Sequence, residues 1–304
     1  MTLHMTIQWF PGHMAKALKQ LKNIRKDIDV VAEVLDARAP ESTRNPIITD
    51  YLNDKPTILL LNKTDLADPG ITKKWTDYYT SKKITVLGLN TTSGDGFSPF
   101  ITLCKQLYTN KHKTTSIKSN PAPKNTEQDN HKNTKEFKFK KPIHLVIFGI
   151  PNTGKTSILN RLVGKKKDKV ADKPGVTRRQ TWYPVDNQLY VLDTPGILWP
   201  KFEHTHQGYT LGALNTIKNT VLPLDHLSFF VLEHLQKHYP QSLINRYKLD
   251  KLPDNTDALF EEILRKRGCI LSGGKLNYDR GYDIILQDFR HSKFGRISLD
   301  IPND

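Results

Sequence analysis

Eight residues constrain this chain more than any others: Gly149-Ile-Pro-Asn-Thr-Gly154-Lys155-Thr156. They fit G-x-x-x-x-G-K-[S/T] and follow the apolar run IHLVIF at 143–148. Such a loop does its chemistry between a strand and a helix. Its glycines let backbone N–H groups converge on phosphate oxygens. The N-terminus of the following helix, expected over 155–163, adds the positive end of its dipole. Lys155 then reaches the β- and γ-phosphates and the Thr156 hydroxyl ligates Mg²⁺. Asn152, Thr153, Gly154 and Ser157 complete the expected cradle.

The surrounding pattern agrees with that context. Apolar runs at 28–36, 56–61, 84–89, 143–148 and 188–193 read as buried strands. Helical patterns at 72–80, 97–108 and 155–163 separate them. Short apolar strands alternating with helices indicate a mostly parallel α/β sheet. Residues 110–141 are polar and rich in Lys, Asn and Thr, and they read as a linker or disordered insertion. From about 205 onward the pattern is helical, at 225–238, 254–267 and 281–290. The expected organisation is a phosphate-loop α/β domain over 1–204 and a smaller all-helical domain over 205–304.

Two further motifs sit at strand ends. Asp193-Thr-Pro-Gly196 places a carboxylate where it holds Mg²⁺ and a glycine N–H where it meets the γ-phosphate. Asn62-Lys63-Thr-Asp65 can read guanine: the Asp65 carboxylate accepts from the N1–H and 2-amino groups, Asn62 binds the far edge and the Lys63 stem covers the ring. A wrong base would leave those groups unpaired. Asn90 and Thr91 open a strand-end loop that either lies over the base or is an ordinary turn. The base-reading motif precedes the phosphate loop, the reverse of the usual order. The chain therefore reads as circularly permuted, and 110–141 is where ordinary termini would be joined.

Composition narrows the function classes. Lys and Arg number 46 against 31 Asp and Glu, a net charge of +15, which points to a polyanionic partner such as nucleic acid. The helical stretch 13–26 carries Lys16, Lys19, Lys22, Arg25 and Lys26. The C-terminal part adds Arg265, Lys266, Arg267, Lys275, Arg280, Arg290, Lys293 and Arg296. Two cysteines, Cys104 and Cys269, exclude a disulfide framework and fit a reducing compartment. No run of apolar residues is long enough to span a membrane, and 1–10 does not read as a secretion signal.

With these motifs assembled, the chain resembles the ribosome biogenesis GTPase A family. The resemblance rests on WFPGHMAKA at 9–17, VLDARAPESTRNP at 34–46, LNKTDLAD at 61–68, GIPNTGKTSILNRL at 149–162, KPGVTRRQ at 173–180 and LDTPGILWPKFE at 192–203. LQKHYP at 235–240 and KRGCILSGGKLNYDR at 266–280 extend it. It implies a circularly permuted GTPase that uses GTP, GDP and Mg²⁺, acts in large ribosomal subunit assembly and binds ribosomal RNA through its helical domain. It further implies that Thr177 is the switch threonine closing on Mg²⁺ and the γ-phosphate, and that Asn152 is linked to a bound K⁺. Ile197 stands where Ras-like enzymes carry a water-orienting glutamine. The resemblance gives that role to His13; the other reading of His13 is a structural histidine beside Trp9 and Phe10. A monomer in the bacterial cytoplasm, with no membrane partner, is expected. The alternative to a hydrolysing assembly factor is a nucleotide-gated placeholder on rRNA with slow, incidental hydrolysis.

Overall fold

All seven residues of β1 (Val30–Asp36) are buried, because this strand lies at the centre of the sheet. The computed structural model describes residues 19, 22–118, 141–164, 182–193, 205–217 and 222–302, with the backbone alone at 113–118 and 193. After β1 come α1 (Pro46–Tyr51), β2 (Thr57–Asn62), α2 (Pro69–Ser81), β3 (Thr85–Gly88), α3 (Phe97–Lys118), β4 (Ile143–Phe148), α4 (Lys155–Val163), β5 (Trp182–Pro184) and β6 (Leu189–Asp193). The strand order is β3-β2-β1-β4-β6-β5. Neighbours run parallel, except that the edge strand β5 is antiparallel to β6. The expected parallel-rich α/β sheet is therefore present, with β5 as an unforeseen addition. Its three residues are too few for periodicity to register.

Strand alternation sorts the core. Val30, Ala32 and Val34 of β1 face Phe100 and Cys104 of α3 and Ile158 and Leu159 of α4. On the opposite face Val31, Val146 and Phe148 pack on Ile48 of α1, while Leu35, Leu59 and Leu61 pack on Trp75 and Tyr79 of α2. With both faces covered, the strands read as continuous apolar runs. Two helices start on sequence-legible caps: Asn45 accepts from Ile48 N–H before Pro46, and Asp68 accepts from the N–H groups of Gly70 and Ile71 before Pro69.

The linker expectation needs correction. Helix α3 continues to Lys118, well inside the polar stretch 110–141. No glycine or proline interrupts the sequence between Pro99 and Pro121, so nothing local stops the helix. Residues 119–140 lie outside the described residues.

The C-terminal part contains α5 (Thr205–Ala213), α6 (Leu224–His238), α7 (Pro240–Tyr247), α8 (Thr256–Lys266) and α9 (Tyr278–Arg290). Three match the helical patterns read at 225–238, 254–267 and 281–290. The short α7, which starts on Pro240, is new. These helices share one core built around Leu232, Leu235, Phe260, Ile263, Ile285 and Phe289. Two residues from the sheet side join that core: Ala39, just beyond β1, and Ile150 of the phosphate loop. The chain then returns across the sheet domain through 296–300.

Candidate functional site

The described nucleotide-binding motifs lie at the carboxyl ends of strands. Asp36 ends β1, Asn62 ends β2, the 89–94 loop follows β3, the phosphate loop follows β4 and Asp193 ends β6. The register aligns Asp36 with Asn62 and Ile147 with Asp193. In open α/β sheets ligands bind at this edge.

The phosphate loop has the required backbone. Gly154 sits at φ 99°, where a Cβ would lie 2.2 Å from the Asn62 Nδ2. A Cβ on Gly149 would lie 2.5 Å from the Val34 carbonyl oxygen. Only glycine fits either place. Gly154 caps α4 without a side chain, so the first N–H groups of the helix stay available to an anion. Lys155 is buried and donates to the Ile150 carbonyl at 2.7 Å; Thr153 Oγ1 donates to the same oxygen at 3.0 Å. Thr156 and Ser157 are exposed at the helix start. The loop has the backbone a phosphate cradle needs, with its lysine folded onto it.

The base-reading motif is physically joined to that cradle. Asn62 is fully buried and its Nδ2 donates to the Thr153 carbonyl at 2.8 Å, across 91 residues of sequence. Its Oδ1 is buried with no hydrogen-bond partner. Leaving such an acceptor unmatched costs about 1–3 kcal/mol. Lys63 Nζ donates to the Asn152 carbonyl at 2.6 Å and to Asp36 Oδ2 at 2.8 Å. Asp65 is exposed, free to face a base. Lys63 adopts φ 63°, a conformation costing a non-glycine residue about 1–2 kcal/mol. The loop therefore needs outside support.

Asp36 supplies part of that support and Arg161 fastens the neighbouring loop after β3, and sequence reasoning missed both as site residues. Asp36 is buried and paired with Arg38 at 2.8–2.9 Å through both carboxylate oxygens. Burial alone would raise its pKa, but the Arg38 guanidinium and the Lys63 ammonium outweigh that and hold the carboxyl well below the usual carboxylate range. Arg161 of α4 donates to the carbonyls of Thr91 at 3.0 Å and Ser93 at 2.7 Å. It thereby fastens the loop after β3 to the helix of the phosphate site. That loop is an Asx turn in which Asn90 Oδ1 accepts from the N–H groups of Thr92 and Ser93. Asp36 carried a signal, a charged residue closing a mostly apolar strand. Arg161, far along its helix, carried none.

Asn152 donates through its side-chain amide to the Asn215 carbonyl, which sits in the turn after α5. Asp193 is placed by its backbone at the end of β6. His13, Thr177 and Gly196 lie outside the described residues. Among the described residues no cluster of His, Cys, Asp and Glu could hold a metal ion by itself. The glycine-only loop and the exposed Asp65 fit a guanine nucleotide.

Comparison with known proteins agrees with this chemistry. A family described as "50S ribosome-binding GTPase" matches residues 144–253, from the strand before the phosphate loop into the helical part. The chain is 41% identical to the ribosome biogenesis GTPase A of Priestia megaterium over 99% of this chain and 98% of that protein. It is 42% identical to that of Bacillus licheniformis, covering 99% of this chain and 100% of the relative. The mitochondrial ribosome-associated GTPase 1 of Xenopus tropicalis is 32% identical over 96% of this chain and 94% of its own. Among solved structures, the GNP-bound YlqF from T. maritima superposes with a TM-score of 0.62 at 24% identity, over 95% of this chain and 99% of that one. That last likeness concerns the fold.

Proposed function

The chain belongs to the ribosome biogenesis GTPase A family, and from that premise we propose that it hydrolyses GTP as an assembly factor for the large ribosomal subunit, binding rRNA on the precursor particle. It is a GTPase; substrate stage, RNA contact and stimulation by the particle are the proposal. The observation that carries it is the bond from Asn62 to the Thr153 carbonyl, which makes one site of the base-reading and phosphate-binding motifs.

In this reading Asn62, Lys63 and Asp65 bind guanine, with Asn90 and Thr91 beside the base. Asn152, Thr153, Gly154, Lys155, Thr156, Ser157 and Gly196 hold the phosphates. On binding, Lys155 leaves the Ile150 carbonyl for the β- and γ-phosphates. Thr156, Thr177 and Asp193 would hold Mg²⁺, which compensates charge on the phosphate oxygens. Asn152 would add a K⁺ contact, and His13 would orient the attacking water. Catalysis is then positioning plus charge stabilisation at the γ-phosphate. We take 1–204 as the GTPase domain and 205–304 as the RNA-binding domain of a monomer working in the bacterial cytoplasm. No described helix is long and apolar enough to cross a membrane.

The surface of the helical part supports RNA contact unevenly. Arg290 donates to the carbonyls of Gly212 and Ala213, and Arg296 to those of Thr64 and Ala67. Arg265 pairs with Glu261 and Lys266 with Asp250. Arg267, Lys275, Arg280 and Lys293 are exposed and carry no ion pair among the described residues. Three of these flank the turn bridged by Ile270 and Leu276, where Ile270 and Leu271 are exposed. A basic turn with apolar tips can meet phosphates and splayed bases together.

The test is GTP turnover with Mg²⁺ and K⁺, with and without large ribosomal subunits, at two salt concentrations, for the wild type and His13→Ala. Stimulation that falls with salt and vanishes in the variant is expected. Binding to the subunit without stimulation would instead make the protein a placeholder, and neither binding nor stimulation would remove the ribosomal partner.

A further inference from the structure

The loop that reads the base is held from the opposite end of the chain. Arg296 Nη2 donates to the Thr64 carbonyl at 2.7 Å, and its Nε donates to the Ala67 carbonyl at 2.8 Å. Thr64 is the variable residue of Asn62-Lys63-Thr64-Asp65, and it precedes the carboxylate expected to meet guanine. Two neighbouring bonds continue the grip: Ile297 N–H donates to the Leu66 carbonyl at 3.0 Å, and Asp68 N–H donates to Ser298 Oγ at 3.1 Å.

The same segment is anchored in the helical part. Phe294, Ile297 and Leu299 are buried in the helical core. The Ser298 carbonyl lies 2.8 Å from His234 Nε2 on α6, and Ser298 N–H donates to the Tyr239 hydroxyl at 3.2 Å. Leu299 N–H donates to the Arg38 carbonyl at 2.7 Å, next to the Asp36 that holds Lys63. The loop needs such support, because Lys63 turns it through a left-handed backbone conformation at φ 63°. On the other side, Thr64 is held through its N–H and Oγ1 to the Leu89 carbonyl. Arg296 closes the remaining side. A guanidinium suits this task, since its fixed fork can serve two carbonyls at once.

We propose that Arg296 is a positioning residue for guanine recognition: by holding the Thr64 and Ala67 carbonyls it sets the direction in which Asp65 faces the base. The proposal rests on the assignment of Asn62–Asp65 as the guanine site. Its consequence is selective. Asp65 distinguishes guanine from hypoxanthine through the 2-amino group, so loosening the loop weakens GDP more than IDP and leaves the phosphate contacts alone. A purely structural arginine would weaken both equally. An arginine kept only for RNA phosphate would change neither.

The experiment is equilibrium binding of GDP, IDP and ADP to the full chain carrying Arg296→Met, Arg296→Lys or Asp65→Ala, with thermal unfolding to confirm the folded state. Arg296→Met should weaken GDP about three- to tenfold, the size expected for losing charge-assisted hydrogen bonds at an exposed site, and shrink the GDP-to-IDP ratio. Arg296→Lys, which keeps one donor, should recover part of both. If Arg296→Met does not fold, the ratio in Arg296→Lys decides alone. An unchanged GDP-to-IDP ratio overturns the proposal, whether the two affinities fall together or stay as they are. Asp65→Ala separates the two levels. If it abolishes guanine preference while Arg296 variants retain it, the positioning role fails and the site stands. If it also leaves the preference intact, the site assignment fails and the proposal goes with it.

Discussion

The Lys63 ammonium lies 2.8 Å from the Asp36 carboxylate, although 27 residues separate them. The contact binds the base-reading loop to the central strand. It also draws the Lys63 stem toward the phosphate loop, where the same ammonium meets the Asn152 carbonyl. The 62–65 loop and the 149–154 loop are thus braced against each other.

Asp36→Asn tests the brace. The substitution leaves Arg38, whose side chain is 5% exposed, without its counter-charge. Breaking one partner of a buried pair costs about 3–5 kcal/mol, and a urea titration should show a loss of that order. Asp36→Asn with Arg38→Met should recover much of the stability. Guanine-nucleotide affinity should stay low in both, because Lys63 has lost its anchor. Wild-type affinity in the double variant would show that the brace does not serve binding.

Asn62→Asp addresses the link to the phosphate loop. It replaces the donor facing the Thr153 carbonyl, 2.8 Å away, with an acceptor. Two acceptors then oppose each other in a buried place, at about 2 kcal/mol or more. Isothermal calorimetry should show GDP affinity reduced by at least about tenfold. An unaltered affinity would mean that the link is incidental.

Gly154→Ala and Gly164→Ala separate sterics from backbone preference. Both positions have positive φ, at 99° and 55°. A Cβ at 154 meets Asn62 Nδ2 at 2.2 Å, whereas a Cβ at 164 meets nothing within 4 Å. Gly154→Ala should lose nucleotide binding altogether. Gly164→Ala should lose about 1–3 kcal/mol of stability, because its backbone lies at φ 55°, ψ −143°, and keep its affinity. Equal binding losses in filter assays would contradict the steric argument.

How much of this was readable in the sequence differs by element. The strands around the site were legible because burial on both faces makes them apolar runs, and the phosphate loop because its glycines are sterically required. Asn62, Lys63 and Asp65 were legible as types, and their bond to Thr153 was not, since periodicity says nothing about which strand ends meet. Helix α3 ran past its expected end because polar Lys, Asn and Thr residues tolerate a helix when no glycine or proline stops it. Arg290 and Arg296 looked like surface charge, and Arg161 gave no signal at all. In the structure they donate to backbone carbonyls of distant loops, a use of arginine that composition conceals.

Glu33 gives the chain a pH-dependent stability. It sits in the middle of β1 with no exposed surface, accepting from Asn45 N–H at 2.8 Å and Thr49 Oγ1 at 3.2 Å, with Arg44 3.8 Å away. Burial raises its pKa to about 7, and the Asn45 N–H and Arg44 only partly offset this. A carboxyl with a folded pKa above its unfolded value binds more protons in the native state, so its stabilising contribution is full below the unfolded value of 4.5 and is lost as pH rises through about 7. Asp300, raised by burial to about 6 despite the Ser42 N–H and hydroxyl, acts in the same direction. His234, lowered to about 4 by burial, acts oppositely, because its unfolded form takes up protons below its ordinary value. The wild-type curve therefore mixes signs. The difference between wild type and Glu33→Gln isolates Glu33, since the other groups are common to both. Measured by urea unfolding from pH 5 to pH 8, that difference should shift by on the order of 1–3 kcal/mol in favour of the glutamine variant. A difference that stays flat across this range would mean that Glu33 remains ionised in the folded protein, held by Arg44.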